Sequence, residues 1–271
     1  MANEFLHRGD APFGQKVWGA IDETVIGAAK GQMSARRLLH VEGPYGLGLK
    51  TLPGGDAEVS SEEDGIGLAA GSIVPVALIR KGFALPARDI ASFEQTGLPM
   101  DLALAADAAL ACAQQEDDLV FNGSKALGVS GLTNAKGAHS LGLGSWASEP
   151  GTAADDAIKA VTLLDGAGFH GPYAMALAPA LYNLLFRRYA QGNQTEMEHV
   201  RTIVTDGVVK APALAKGGIV IASGRQYASI VLGQDLMTGF IGPAGGDYEF
   251  TVSESVALRL RAAGAVCVLK Q

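Results

Sequence analysis

The chain has 271 residues, 48% hydrophobic and 18% charged, with a formal net charge of −7. That is enough apolar chain for one large domain or two small ones, and it excludes intrinsic disorder. The acidic balance, with no cluster of Lys and Arg, speaks against a nucleic-acid partner, because phosphates are met by grouped cations.

Thirty-six glycines against 6% aromatics predict an α+β chain rich in turns. Past Asp10-Ala11-Pro12, residues Val17, Trp18, Ile21, Val25, Ala29 and Met33 share one helical face, which predicts an amphipathic helix ending near Arg36 and Arg37. Residues 43–72 are glycine-rich with an acid run, too long for an ordinary connection, and read as an arm ordered by a neighbouring chain. Strands follow at 74–80 and 82–85, then a long Ala-rich helix at 101–120. A helix at 154–165, a strand at 173–176 and a helix at 179–189 form an α/β layer, and AQGNQTEMEH at 190–199 is a polar excursion. The last third holds strands at 218–223 and 228–233, then a long alternating run at 248–261 that reads as a half-buried strand with Glu254 as its exception. A short strand around Cys267 ends the chain.

Cys112 and Cys267 each lie in an apolar surround and read as buried free thiols of a cytoplasmic protein. The opening residues lack a signal-peptide core, and no run of about 18 apolar residues suggests a membrane span. GAGFHG at 166–171 fits G-x-G-x-x-G, but a helix precedes it and a strand follows, the reverse of a dinucleotide site, so it reads as a helix C-cap and turn. The five histidines show no ligand spacing, and no nucleophile, phosphate-loop or zinc-protease motif is present. No catalytic residue, metal site or cofactor is expected. Glu116, Asp117 and Asp118 are consecutive on a helix, so their side chains diverge by about 100° each and cannot converge on one ion. Acids in a last turn also oppose the helix dipole and need a partner, which favours a structural or interfacial role.

Several blocks in order carry a resemblance: FLHRGDAPF with Trp18, RRLLHVEGPYG at 36–46, ALACAQQEDDLVFNG at 109–123 with GVSGL at 128–132, GPYAMALAP at 171–179 and VLGQDLMTGF at 231–240. Together they span nearly the whole chain, and they resemble the shell proteins of family 1 encapsulins, the linocin-like group. The resemblance implies an HK97-type capsid fold. Its parts would be an N-terminal helix and lead-in at 1–42, an extended arm, the E-loop, at 43–82, a peripheral domain with a spine helix at 83–133, an axial domain at 134–223 and peripheral C-terminal strands at 224–271.

It further implies self-assembly into an icosahedral compartment that encloses a cargo enzyme, a ferritin-like iron oxidase or a dye-decolourising peroxidase, with roles in iron storage and oxidative stress. Cargo would dock by a short C-terminal targeting peptide in an apolar groove, placed by matching blocks at Arg36, Leu38 and His40 with Leu236 and Phe240 opposite. Arg36 would hold a carboxylate or peptide carbonyl of the tail, or form an ion pair within the shell wall. The loop matching the family's pore would expose Asn193, Gln194, Thr195 and Glu196. Competing readings are a phage-derived capsid protein that packages DNA, which the net charge opposes, and a protease or bacteriocin-like activity, for which no nucleophile and base are present.

Overall fold

The computed structural model describes residues 4–59 and 68–271, with side-chain detail outside 55–59 and 68–70. Two 3₁₀ turns (Glu4–Leu6, Arg8–Asp10) lead into α1 (Gln15–Gln32), and a third (Ala35–Arg37) leads into β1 (His40–Glu42). β2 (Thr51–Val59) and β3 (Leu68–Pro75) pair antiparallel, followed by β4 (Ala77–Pro86), α2 (Ala87–Thr96) and α3 (Ala103–Asn122). A small ladder of β5 (Gly123–Ser124) and β6 (Val129–Ser130) precedes β7 (His139–Gly142), α4 (Thr152–Gly166), β8 (Tyr173–Leu177), α5 (Pro179–Leu184) and α6 (Glu196–Ile203). β9 (Val208–Lys210), β10 (Gly218–Ala222), β11 (Ala228–Leu232), β12 (Met237–Ala244), β13 (Asp247–Leu260) and β14 (Val266–Lys270) complete the order.

The chain divides into two compact units. The first comprises Met1–Gly27, Gly43–Cys112 and Val231–Arg259, the second Ala28–Glu42, Ala113–Ile230 and Leu260–Gln271. In the first, β13 pairs antiparallel with β4 on one side and β12 on the other, and the register sets Phe83, Phe250 and Phe240 directly across from one another. Phe83 stacks on Phe250 at 5.1 Å between centroids, and Phe240 meets Phe250 edge-on at 5.8 Å. Phe13, Trp18 and Tyr248 join this cluster. Aromatic pairs at such spacings add to the burial of large rings. Arg8 lies 4.0 Å over the Trp18 ring and pairs with Asp22 at 2.6 Å, which ties the lead-in to α1. The arm of β2 and β3 is anchored at its base, where Leu52 is buried with Val231 and Ala257.

In the second unit a five-stranded sheet runs β7-β14-β10-β8-β9. Its centre is antiparallel, while β7 and β9 lie parallel to their neighbours. Every residue of β8 and β10 is buried, so YAMAL and GIVIA are the continuous apolar runs expected of strands covered on both faces. α4 packs on this sheet through Ala153, Ala157, Ala160 and Leu164, small residues that bring the helix close. It ends at Gly166, and Gly168 takes φ 85°, the left-handed conformation that turns the chain into β8. The GAGFHG reading is correct.

All six predicted residues of the α1 face are buried, though the α-helix stops at Gln32 and the residues to Arg37 form a 3₁₀ turn. Four expectations are corrected. The strands expected at 74–80 and 82–85 are the end of β3 and one continuous β4. The helix expected to reach 189 stops at Leu184, and the last four residues of the polar excursion begin α6. β13 is buried on both faces from Val252 to Leu258, including Ser253, Glu254 and Ser255. β14 belongs to the sheet of the second unit, where it pairs with β10, rather than to a peripheral group at 224–271. The elements β1, β2, α2, β5, β6, β7, β9 and β12 have no counterpart among the expected elements. The arm's tip, residues 60–67, lies outside the described residues.

Candidate functional site

The acids of the run near the end of α3 go to three separate sets of partners. Glu116 is wholly buried and takes Arg36 in a fork, with Nε at 2.8 and 3.0 Å and Nη2 at 2.6 Å from its oxygens. Asp117, also buried, accepts from the backbone N–H groups of Ser34 and Ala35 and from the Ser34 hydroxyl, so it caps the 3₁₀ turn that carries Arg36. Burial pushes its carboxyl above the ordinary range, against the lowering effect of those donors. Asp118 accepts from Asn122 one turn on. Divergence on the helix was the right expectation, and no group of His, Cys, Asp and Glu able to hold a metal occurs among the described residues.

The planar fork of Arg36, one of the residues expected at the docking groove, meets Glu116 within the second unit. Leu38 is buried, and His40 is exposed on β1. Both line a cleft of about 450 Å³ in the second unit, with Arg37, Asp206, Ser223 and Arg225. Leu236 and Phe240 belong to the first unit. Phe240 is 7% exposed and sits in the aromatic cluster. Leu236 sits between Asp235 and Met237, which line an apolar cleft of about 330 Å³ with Phe5, Pro44 and Leu47. Phe5 is 70% exposed. Phe5 opens the FLHRGDAPF block, but a lone exposed aromatic carries no period that would mark it as a contact.

The loop from Ala190 to Thr195 is a tight reversal closed by Tyr189 N–H to the Gln194 carbonyl and by the Arg188–Thr195 bridge. Asn193 and Gln194 are exposed at its tip, and Thr195 is partly covered. Thr195 caps α6 in a reciprocal box with Glu198. Glu196, expected to face a pore, is wholly buried. Its carboxylate accepts from Gly151 and Ala153 N–H at the start of α4, at 2.7 and 2.9 Å, and pairs with Arg187 at 3.4 Å. It satisfies orphan N–H groups of a helix terminus. The exposed acid here is Glu198, held below the ordinary carboxylate range first by the Thr195 N–H and then by its hydroxyl.

A family model described as encapsulating protein for peroxidase (Linocin_M18) matches residues 3–257. The chain belongs to this family. It is 32% identical over 278 residues to the type 1 encapsulin shell protein EncA of Myxococcus xanthus, spanning 98% of this chain and 96% of that one. A diheme-cytochrome-encapsulin shell fusion protein of Kuenenia stuttgartiensis is 31% identical over 93% of this chain and 72% of its own. A ferritin-like-encapsulin shell fusion protein of Pyrococcus furiosus is 24% identical over 77% of this chain and 56% of its own. Among solved structures, a virus-like particle from Pyrococcus furiosus matches with TM-score 0.74 at 20% identity, over 94% of this chain and 99% of that one. The capsid of Myoviridae phage XM1 matches with TM-score 0.62 at 11% identity, over 85% and 88%. These likenesses establish the HK97-type capsid fold. As a family member the chain is an encapsulin shell protein, and its relatives are named as shells, not enzymes. No described helix is long and apolar enough to cross a membrane.

Proposed function

We propose that copies of this chain close into an icosahedral compartment in the cytoplasm and enclose a cargo enzyme held by a short C-terminal targeting peptide. The observation that carries this reading is the family match along almost the whole chain, and the capsid fold with its β2–β3 arm is in keeping with it. The two shell fusions, with a ferritin-like and a diheme-cytochrome partner, favour a redox or iron-handling cargo. A ferritin-like iron oxidase or a dye-decolourising peroxidase fits that class, as do roles in iron storage and oxidative stress.

The tail's apolar anchors are assigned to the cleft of Phe5, Leu47 and Met237 beside Leu236. Burying two or three such side chains at roughly 1.5–3 kcal/mol each suffices for micromolar docking after ordering costs. Asn193, Gln194 and Thr195 are assigned to the lining of an opening through the shell, where polar groups pass water and small ions.

The test is twofold. The purified protein elutes as a megadalton particle, and a reporter bearing the tail of a neighbouring cargo gene co-purifies with it. Phe5→Asp, at an exposed position, abolishes loading and leaves particles intact. A monomer or dimer at physiological salt overturns the shell reading, and unchanged loading overturns the docking site alone. The likeness to a phage capsid keeps DNA packaging as the second reading, and an ultraviolet spectrum of purified particles showing bound nucleic acid would favour it.

A further inference from the structure

Of the chain's five asparagines only Asn122 is followed by glycine. An Asn-Gly step is chemically labile, because glycine has no Cβ to shield its nitrogen from the neighbouring side-chain amide. Asn122 is the last residue of α3, and Gly123 opens β5 with φ 72°. The side-chain amide is engaged elsewhere. Its Nδ2 donates to the Asp118 carboxylate one turn back at 2.7 Å and to the Ala213 carbonyl, in the connection between β9 and β10, at 3.0 Å. The main-chain carbonyl of Asn122 accepts from the Asn134 amide at 2.7 Å, and the Thr133 hydroxyl bonds the Phe121 carbonyl beside it at 2.9 Å. The end of α3, the segment after β6 and the β9–β10 connection are thus tied together at one residue, all within the second unit.

We propose that Asn122 is a modification site closed in the folded chain and open in the unfolded one, and that its modification prevents return to this fold. In the step, the Gly123 nitrogen attacks the Asn122 side-chain carbonyl carbon, its proton leaves with the amide group as ammonia, and solvent water opens the cyclic imide to aspartate or isoaspartate. Cyclisation requires the amide to leave both Asp118 and Ala213 and the backbone to leave the helical state, so it waits on local opening. Neither product restores the junction. Aspartate cannot donate to the Ala213 carbonyl, and it sets a second carboxylate against Asp118 one turn away, a destabilising pair. Isoaspartate adds a methylene to the main chain just before Gly123, where even an added Cβ would collide with the Val129 carbonyl. An unfolded subunit therefore has a limited time in which to fold. The site belongs to one subunit and stands whether or not copies close into a shell.

The test incubates the folded protein and the same protein in guanidinium chloride side by side at mildly alkaline pH, and follows Asn122 by peptide mapping with mass spectrometry, isoaspartate being told from aspartate by electron-transfer fragmentation. Conversion should be at least about thirtyfold faster in denaturant, since two donated bonds, one of them to a carboxylate, are absent there. Equal rates overturn the protection. In the folded protein Asp118→Ala should speed conversion about fivefold, with a retained cooperative melt showing that the variant is folded; an unchanged rate overturns the assignment of the restraint to that bond. After denaturant is removed from partly converted wild-type chain, isoaspartate at position 122 should be depleted from the refolded fraction and enriched in the aggregate. Equal content in both overturns the claim that modification blocks refolding. That comparison needs no substitution, so it decides the matter even where Asp118→Ala fails to fold.

Discussion

Replacing Arg36 with alanine separates its two roles, structural clamp and cargo contact. Glu116 is fully buried, and its oxygens take the guanidinium at 2.6 to 3.0 Å. Deleting the cation leaves that carboxylate buried and uncompensated, a loss of about 3–5 kcal/mol. At a urea dependence of about 2 kcal/mol per molar, the unfolding midpoint should fall by roughly 2 M. The readout is Trp146 fluorescence, because that indole is buried in the same unit. The pair Arg36→Met with Glu116→Leu removes both charges together and should recover all but about 1 kcal/mol, since an apolar pair of similar volume often replaces a buried ion pair without loss. If Arg36→Ala leaves the midpoint unmoved while cargo retention drops, the guanidinium serves the tail and the clamp is wrong.

Four further outcomes are expected. Phe240→Asp should cost particles and not merely cargo, because it drives a charge into a ring cluster whose centroids lie 5.8 to 5.9 Å apart; normal particle yield would contradict this. Glu196→Lys should lower particle yield at every ionic strength by unpairing the start of α4 and crowding Arg187, whereas Asn193→Lys should leave yield intact and slow cation entry into loaded shells at low salt. Burial pushes the Cys112 thiol up to about 12, with Glu254 adding to it, and the Cys267 thiol up to about 11, so neither should react with iodoacetamide at pH near 8 until denaturant is added. Burial alone would raise the Asp156 carboxyl, but bonds from Trp146, Lys159 and Gly144 bring it below 3.8; its contribution is therefore complete above that value and lost as pH falls through the folded one, so the stability gap to Asp156→Ala should close in acid.

What the residues disclosed in advance was mostly what local period governs. The α1 face, the fully apolar runs of β8 and β10, the free thiols and the turn at Gly168 follow from spacing and flanks. β13 was misread because alternation of Tyr248, Phe250 and Val252 with polar residues looks half-solvated, yet Ser253, Glu254 and Ser255 are buried as well. The polar face found partners, such as Gln234 on the Ser253 and Ser255 hydroxyls. Alternation reports which side chains are apolar, not which face water reaches. β14 was misplaced for a related reason, since pairing with β10 links chain segments about 50 residues apart and no local pattern encodes it.

The site residues show the same limit and one missed signal. Arg36 and Glu116 lie 80 positions apart, so helix geometry could say that the three acids diverge but not where each would land. Glu196 is different, because its burial was readable. Thr195 and Glu198 form the T-x-x-E signature of a helix start, and from that start Glu196, Val200 and Val204 recur every fourth residue. They share the inward face with Met197, and all four are buried. Glu198, Arg201 and Thr202 fall on the other side and are exposed. An acid inside an apolar stripe has to meet a donor, and the N–H groups at the start of α4 together with Arg187 supply it. The loop's outward negative charge therefore belongs to Glu198, already bound to the Thr195 N–H. Any effect of this loop on passing cations should follow substitutions at Glu198 or the Asn193 tip, while changes at Glu196 should act on the fold.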